Sequence, residues 1–175
     1  MRRHFKGHCL FGILALALLA PFAVCARGGS HHNIHVYLDT AGNVHLVSAR
    51  GVDRRISSGG NAIDPMLSDD GKTVVWRRRT SVWPPDPDHP DSVLTDAAVV
   101  YRSGLRRVIK GGCPFVTELW FWKSGRYLGL RCAGLHLAGY QKLYDISTLG
   151  IITSFDESVV RDKERPDWSI DNINH

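Results

Sequence analysis

A repeat constrains this chain more than any other feature. Arg54-Arg55-Ile56-Ser57-Ser58-Gly59-Gly60 recurs 52 residues later as Arg106-Arg107-Val108-Ile109-Lys110-Gly111-Gly112. Soon after each copy comes an apolar stretch, a turn and another apolar stretch. Asp64-Pro65-Met66-Leu67-Ser68-Asp69-Asp70-Gly71-Lys72 is echoed by Glu118-Leu119-Trp120-Phe121-Trp122-Lys123-Ser124-Gly125-Arg126, 54 residues on. A third copy starts at Leu143-Tyr144-Asp145-Ile146-Ser147-Thr148 and runs to Pro166-Asp167-Trp168-Ser169. A period near 50 residues is the size of one small sheet, and such units bury their faces only by stacking on one another.

The segments between the turns are short and rich in Val, Ile, Leu, Tyr and Trp, the composition of strands. Five hairpins are expected: 34–38 with 44–48, 66–67 with 72–77, 98–101 with 106–109, 119–122 with 126–131, and 142–146 with 151–155. Glycine in each loop supplies the positive φ that tight hairpin turns need. No stretch after Ala26 sustains a 3.6-residue apolar period over three turns, so little helix is expected. The fold class is therefore all-β, made of antiparallel repeats.

Residues 64–76, an aspartate-glycine turn joining two strands, resemble the repeat of periplasmic TolB-type, WD-like β-propellers. Leu143–Thr148 resembles the outer-strand signature of the same class. The resemblance covers most of 34–169, is one of fold, and carries no catalytic residue. It implies blade-like sheets and protein–protein contact. Copy two departs from the pattern, with Lys123 and Ser124 in place of aspartates. About two and a half repeats fall short of the four blades of a closed propeller, which leaves two arrangements open: a partial propeller completed by association, or sandwich-like packing of the sheets.

The N-terminus is an address. Arg2, Arg3 and Lys6 precede an apolar run from Cys9 to Val24, and Val24-Cys25-Ala26 offers a small-residue exit. This is the pattern of a secretory signal. The run is shorter than the roughly 20 residues a transmembrane anchor needs, and Pro21 interrupts it. Residues 1–26 are thus expected to be removed, leaving 27–175 as one all-β repeat domain, periplasmic or secreted and not integral to a membrane. The formal charge of +5 then falls to +2, with 19 basic against 17 acidic side chains. That balance argues against nucleic acid as a partner. Cys113 and Cys132 remain as an even pair, and in an oxidising compartment a disulfide between them is expected.

The candidate binding residues lie between the first and second copies. Arg77, Arg78 and Arg79 precede a segment with four prolines, which carries Trp83, Asp86, Asp88 and His89 and cannot enter a sheet interior. A stiff loop of this kind suits a contact surface. With Arg54, Arg55, Arg106, Arg107 and Lys110 the arginines form a basic patch, suited to lipid phosphates, acidic glycans or an acidic protein. His31, His32, His35 and His45 offer imidazoles, with His35 and His45 facing across the first hairpin, but no defined metal geometry, and no metal or other cofactor is expected. Trp120 and Trp122 share a strand face, either as core or as a platform for a sugar ring. No nucleophile elbow, zinc helix or phosphate loop is present, so no catalytic residue is assigned. The expected role is a protein-binding scaffold or accessory of the envelope, acting on another envelope protein or by self-association. The alternative is a small glycan-binding or cell-wall-acting enzyme or inhibitor.

Overall fold

The computed structural model describes residues 33–79, 94–110, 112, 115–134 and 137–173. Within them, the strands form three antiparallel sheets, each a meander in which consecutive strands pair. The first contains β1 (His35–Leu38), β2 (Val44–Val47) and β3 (Asp53–Arg55). The second contains β4 (Ala62–Leu67), β5 (Thr73–Arg79), β6 (Thr95–Arg102) and β7 (Leu105–Lys110). The third contains β8 (Phe115–Trp122), β9 (Tyr127–Gly134), β10 (Leu137–Asp145) and β11 (Ile151–Asp156). A 3-10 turn at Asp162–Glu164 and a four-residue helix α1 at Ile170–Ile173 follow.

Aspartates and positive-φ residues build the turns. Asp39 accepts hydrogen bonds from the backbone N–H groups of Ala41 and Asn43 at 2.9 and 2.8 Å, bending β1 into β2. Asp70 accepts from Lys72 N–H at 3.0 Å, and Asp145 from Ser147 N–H at 2.8 Å. Such a side chain replaces the backbone partner that the turn removes. Where copy two lacks the aspartates, Lys123, Ser124 and Gly125 all take positive φ.

Alternation along the strands builds the cores. In β5, Val74 and Trp76 pack toward the first sheet, while Val75 packs toward the third. In β6, Val99 and Tyr101 face the first sheet, and Ala98 and Val100 the third. The middle sheet therefore has two buried faces. Its first-sheet side meets Val44 and Ile56. Its third-sheet side meets Val116, Leu119, Leu128, Leu130 and Cys132. Face-to-face packing thus runs through three successive layers, blade after blade as in a partial propeller, and not as a two-sheet sandwich.

Two features differ from the sequence reading. β3 was not expected, because Asp-Arg-Arg contains no apolar residue. The third copy begins no new sheet: Leu143–Ile146 and the strand after it complete the sheet opened by β8. The residues beyond β11 cover that sheet's outer face, where Trp120 and Leu143 pack with Trp168 and Ile170. Trp120 Nε1–H donates to Trp168 O at 2.8 Å. Gly129 lies beneath the Trp120 ring so closely that a Cβ there would overlap it.

Gln141 fastens the same segment. Its side chain is fully buried. Its Oε1 accepts from Ser169 Oγ–H and Ile170 N–H, each at 3.0 Å. Its Nε2 donates to Glu157 at 2.7 Å and Asp171 at 3.0 Å. Arg131 donates to Glu157 at 2.8 Å and Arg165 to Asp171 at 2.6 Å, so both carboxylates are paired with a cation. Among the described residues, no helix is long and apolar enough to cross a membrane. Residues 1–26, read as a signal, lie outside the described residues.

Candidate functional site: an arginine-lined cleft between the first two sheets

The chain leaves β3 through a pinned segment. Ile56 is buried and its N–H donates to Val44 O at 2.8 Å, while Ser57 Oγ accepts from Val44 N–H at 2.7 Å. These bonds hold the preceding Arg54 and Arg55, both exposed, at the edge of the first sheet. On the second sheet, Ser103 and Gly104 take positive φ and turn β6 into β7, which sets Arg106 opposite Tyr101. The sheets stack, and Arg54, Arg55, Ser57, Ser58, Tyr101 and Arg106 enclose a cleft of about 350 Å³.

The Arg54 guanidinium carbon lies 5.5 Å from the centre of the Tyr101 ring, in cation–π range. Among the described residues, neither Arg54, Arg55 nor Arg106 has a carboxylate partner. The cleft continues along the second sheet into a groove of about 370 Å³, walled by Trp76, Arg78, Val99 and Val108. Three guanidiniums without a carboxylate partner among the described residues, one of them over the Tyr101 ring, can present paired N–H groups to a planar oxyanion.

The arginines grouped in sequence do not act together. Alternation along β5 sends Arg77 toward the third sheet, where it bonds the Thr117 carbonyl and Asp64. Arg78 points the other way and holds Asp96 by two bonds of 2.9 and 2.5 Å. That guanidinium keeps the Asp96 carboxyl below its ordinary range. Arg79 ends the strand, its N–H donating to Asn61 O at 2.7 Å. Arg107 turns to the third sheet and donates to the carbonyls of Ile146 and Ser147 at 3.3 Å. The expected single patch is therefore divided: Arg77 and Arg78 are neutralised, and Arg54, Arg55 and Arg106 converge. Trp83, Asp86, Asp88 and His89 lie outside the described residues, as does Cys113; Cys132 is buried in β9.

A cavity of about 360 Å³ between the turns of the second and third sheets is lined by Asp70, Arg102, Arg126 and Asp145. Here the charges are mixed: Arg102 lies 4.0 Å from Asp70. The arginine cleft is the more selective of the two for anions.

The first hairpin carries a different polar cluster. His35 lies opposite Val47, and Tyr37, not His35, faces His45 and stacks on it at 4.9 Å. His45 contacts Asp53 at 2.9 Å and Asp39 at 3.3 Å, and Tyr37 O–H donates to Asp53. The hydrogen bond and charge of Asp53, with Asp39 behind it, raise the His45 pKa above 6.5 despite desolvation. A raised folded-state pKa stabilises fully below the unfolded value and is lost as pH rises through the folded one. Melting temperature is thus expected to fall as pH rises above about 6.5, the ordinary histidine value, in the native chain. His45→Gln should flatten that part of the profile, and parallel profiles would contradict the assignment.

Trp120 is 4% exposed beneath Trp168 and presents no face to a sugar. Trp122 is half-buried, with Lys123 Nζ 4.2 Å from its ring centre. The tryptophans are core and rim, not a glycan platform.

No protein-family model and no curated protein matches the chain. Among solved structures, it is similar to the β-propeller domain of the Trilobed protease from Pyrococcus furiosus, described as having an open velcro topology. Identity is 16%, TM-score 0.47, and the match covers 71% of this chain and 38% of that one. It is also similar to a eukaryotic initiation factor, with 12% identity and TM-score 0.39, over 73% of this chain and 32% of the other. The chain spans about a third of the length of each. The architecture itself rests on the strand pairing.

Proposed function

We propose that this chain is an exported binding scaffold of the cell envelope, built on TolB-type repeats, that holds an anionic partner in the cleft between its first two sheets. One observation carries this reading: Arg54, Arg55 and Arg106 line one cleft, Arg54 over the Tyr101 ring, without carboxylate partners among the described residues. Charges left unpaired on the surface of a small domain are available to a partner, and they steer its approach. Export follows from the N-terminal address in the sequence, with removal near Ala26 and a periplasmic or secreted destination. The partner is an envelope protein or a second copy.

Retention on an immobilised polyanion tests the cleft. The full chain is expected to hold at about 0.1 M salt, where the screening length is roughly 10 Å. The Arg54→Ala/Arg55→Ala/Arg106→Ala variant should elute earlier while melting normally. Equal retention of the two proteins would remove the cleft from the function.

Export also bears on the cysteines. Cys113 and Cys132 are proposed to be joined, closing a loop of about 20 residues and adding roughly 3 kcal/mol. Intact mass after alkylation of the native protein, with and without reductant, checks this. Two thiols blocked only after reduction are expected; two blocked without it would refute the bond.

A further inference from the structure

We propose that the cleft takes an extended acidic segment of a partner protein, laid along the edge of β7 that pairs with no other strand among the described residues, and this rests on the reading of the cleft as the binding surface. Three observations converge on it. First, the charge is arginine, whose planar fork binds carboxylates in a bidentate way. Second, the groove beside the cleft adds an apolar element. Val108 there is 48% exposed, whereas Trp76, Val99 and Tyr101 behind it are buried in the core. Arginine beside an exposed aliphatic side chain suits a polypeptide, whereas a free inorganic anion gains nothing from the aliphatic contact.

Third, the cleft is bounded by strands with an open side. Among the described residues, β3 and β7 are both edge strands of their sheets. An edge strand offers a row of N–H and C=O groups to an added chain. Along β7, alternation separates two sets. Ile109 enters the core against the third sheet, and Arg107 bonds the Ile146 and Ser147 carbonyls on that side. Arg106, Val108 and Lys110 share the opposite face and all three are exposed; Arg106 and Val108 line the groove beside the cleft. A strand added here would meet cation, aliphatic, cation at every second residue. The matching segment is therefore acidic, aliphatic, acidic at alternate positions.

The test uses the full chain, with its cysteines oxidised, and a fluorescein-labelled peptide of about nine residues carrying Glu, Val and Glu at alternate positions. Binding is read by anisotropy. Arg54→Ala/Arg106→Ala should weaken it about tenfold if each charge pair contributes in the usual range. N-methylation of alternate backbone amides in the peptide should abolish it, and replacing Glu by Gln should weaken it. Equal binding of the N-methylated peptide would overturn the edge pairing, and equal binding of the Gln peptide would overturn the charge matching. A chain that dimerises through β7 and is not dissociated by the peptide would assign the edge to a second copy and overturn the proposal. If the peptide fails to bind while polyanion retention still depends on the arginines, this inference falls and the cleft reading stands. If neither depends on them, both fall.

Discussion

Trp168→Ala is expected to lower the free energy of unfolding by about 4 kcal/mol, the usual loss when a buried tryptophan is emptied to alanine. Trp168 is 6% exposed and packs with Trp120, Leu143 and Phe155, so its removal leaves three large side chains around a void. The loss should have a local component. Residues after β11 should become sensitive to limited proteolysis before the rest of the molecule unfolds. Trp168→Phe should recover part of the stability by refilling the site. A loss below about 1 kcal/mol in denaturant unfolding would mean that the segment folds independently of the third sheet.

The second large effect is expected at Gln141. Gln141→Leu keeps the volume and removes every hydrogen bond the amide makes. Glu157, whose side chain is 6% exposed, loses one of its two polar partners among the described residues, Ile170 N–H loses its partner, and Ser169 Oγ keeps only its bond to Asp171. Buried groups left unpaired cost far more than the bond contributes when made. A loss of about 3 kcal/mol is expected, measured by chemical denaturation. Asp171 adds a pH signature. Burial raises its pKa, but bonds from Gln141 and Ser169 and the charge of Arg165 hold it below the ordinary value. A depressed folded-state pKa stabilises above the unfolded value and is lost as pH falls. The variant should therefore lose less stability than the native chain on acidification below about pH 4. Equal acid sensitivity would show that Gln141 does not govern Asp171.

How much of this was legible in the sequence depended on the range of the interaction. The turns were legible because an aspartate two residues ahead of an amide, followed by glycine, specifies its own geometry. The five expected hairpins each lie at observed strand pairs. β3 was not legible, since its strand character comes from pairing with β2 and not from its side chains. Arg77–Arg79 appeared as a block because sequence neighbours look like spatial neighbours. Strand alternation separated them, and the aspartates that neutralise two of them lie 13 and 18 residues away. Arg54 and Arg106 were visible as equivalent points of a repeat, but their convergence required the stacking of sheets. The cover over the third sheet left no periodic signal at all. It depends on Trp168 meeting Trp120, 48 residues distant, above a glycine that makes room for the ring.

The middle sheet, with Trp76 on one side of β5 and Val75 on the other, has in effect a reading frame. Deleting a single residue from β5 would exchange the contents of two cores at once, offering a valine to the space shaped for tryptophan and the tryptophan to the space shaped for valine. Length changes in this protein should thus be confined to its turns. The central blade is where variation in length is least tolerated, although it also carries one wall of the arginine cleft.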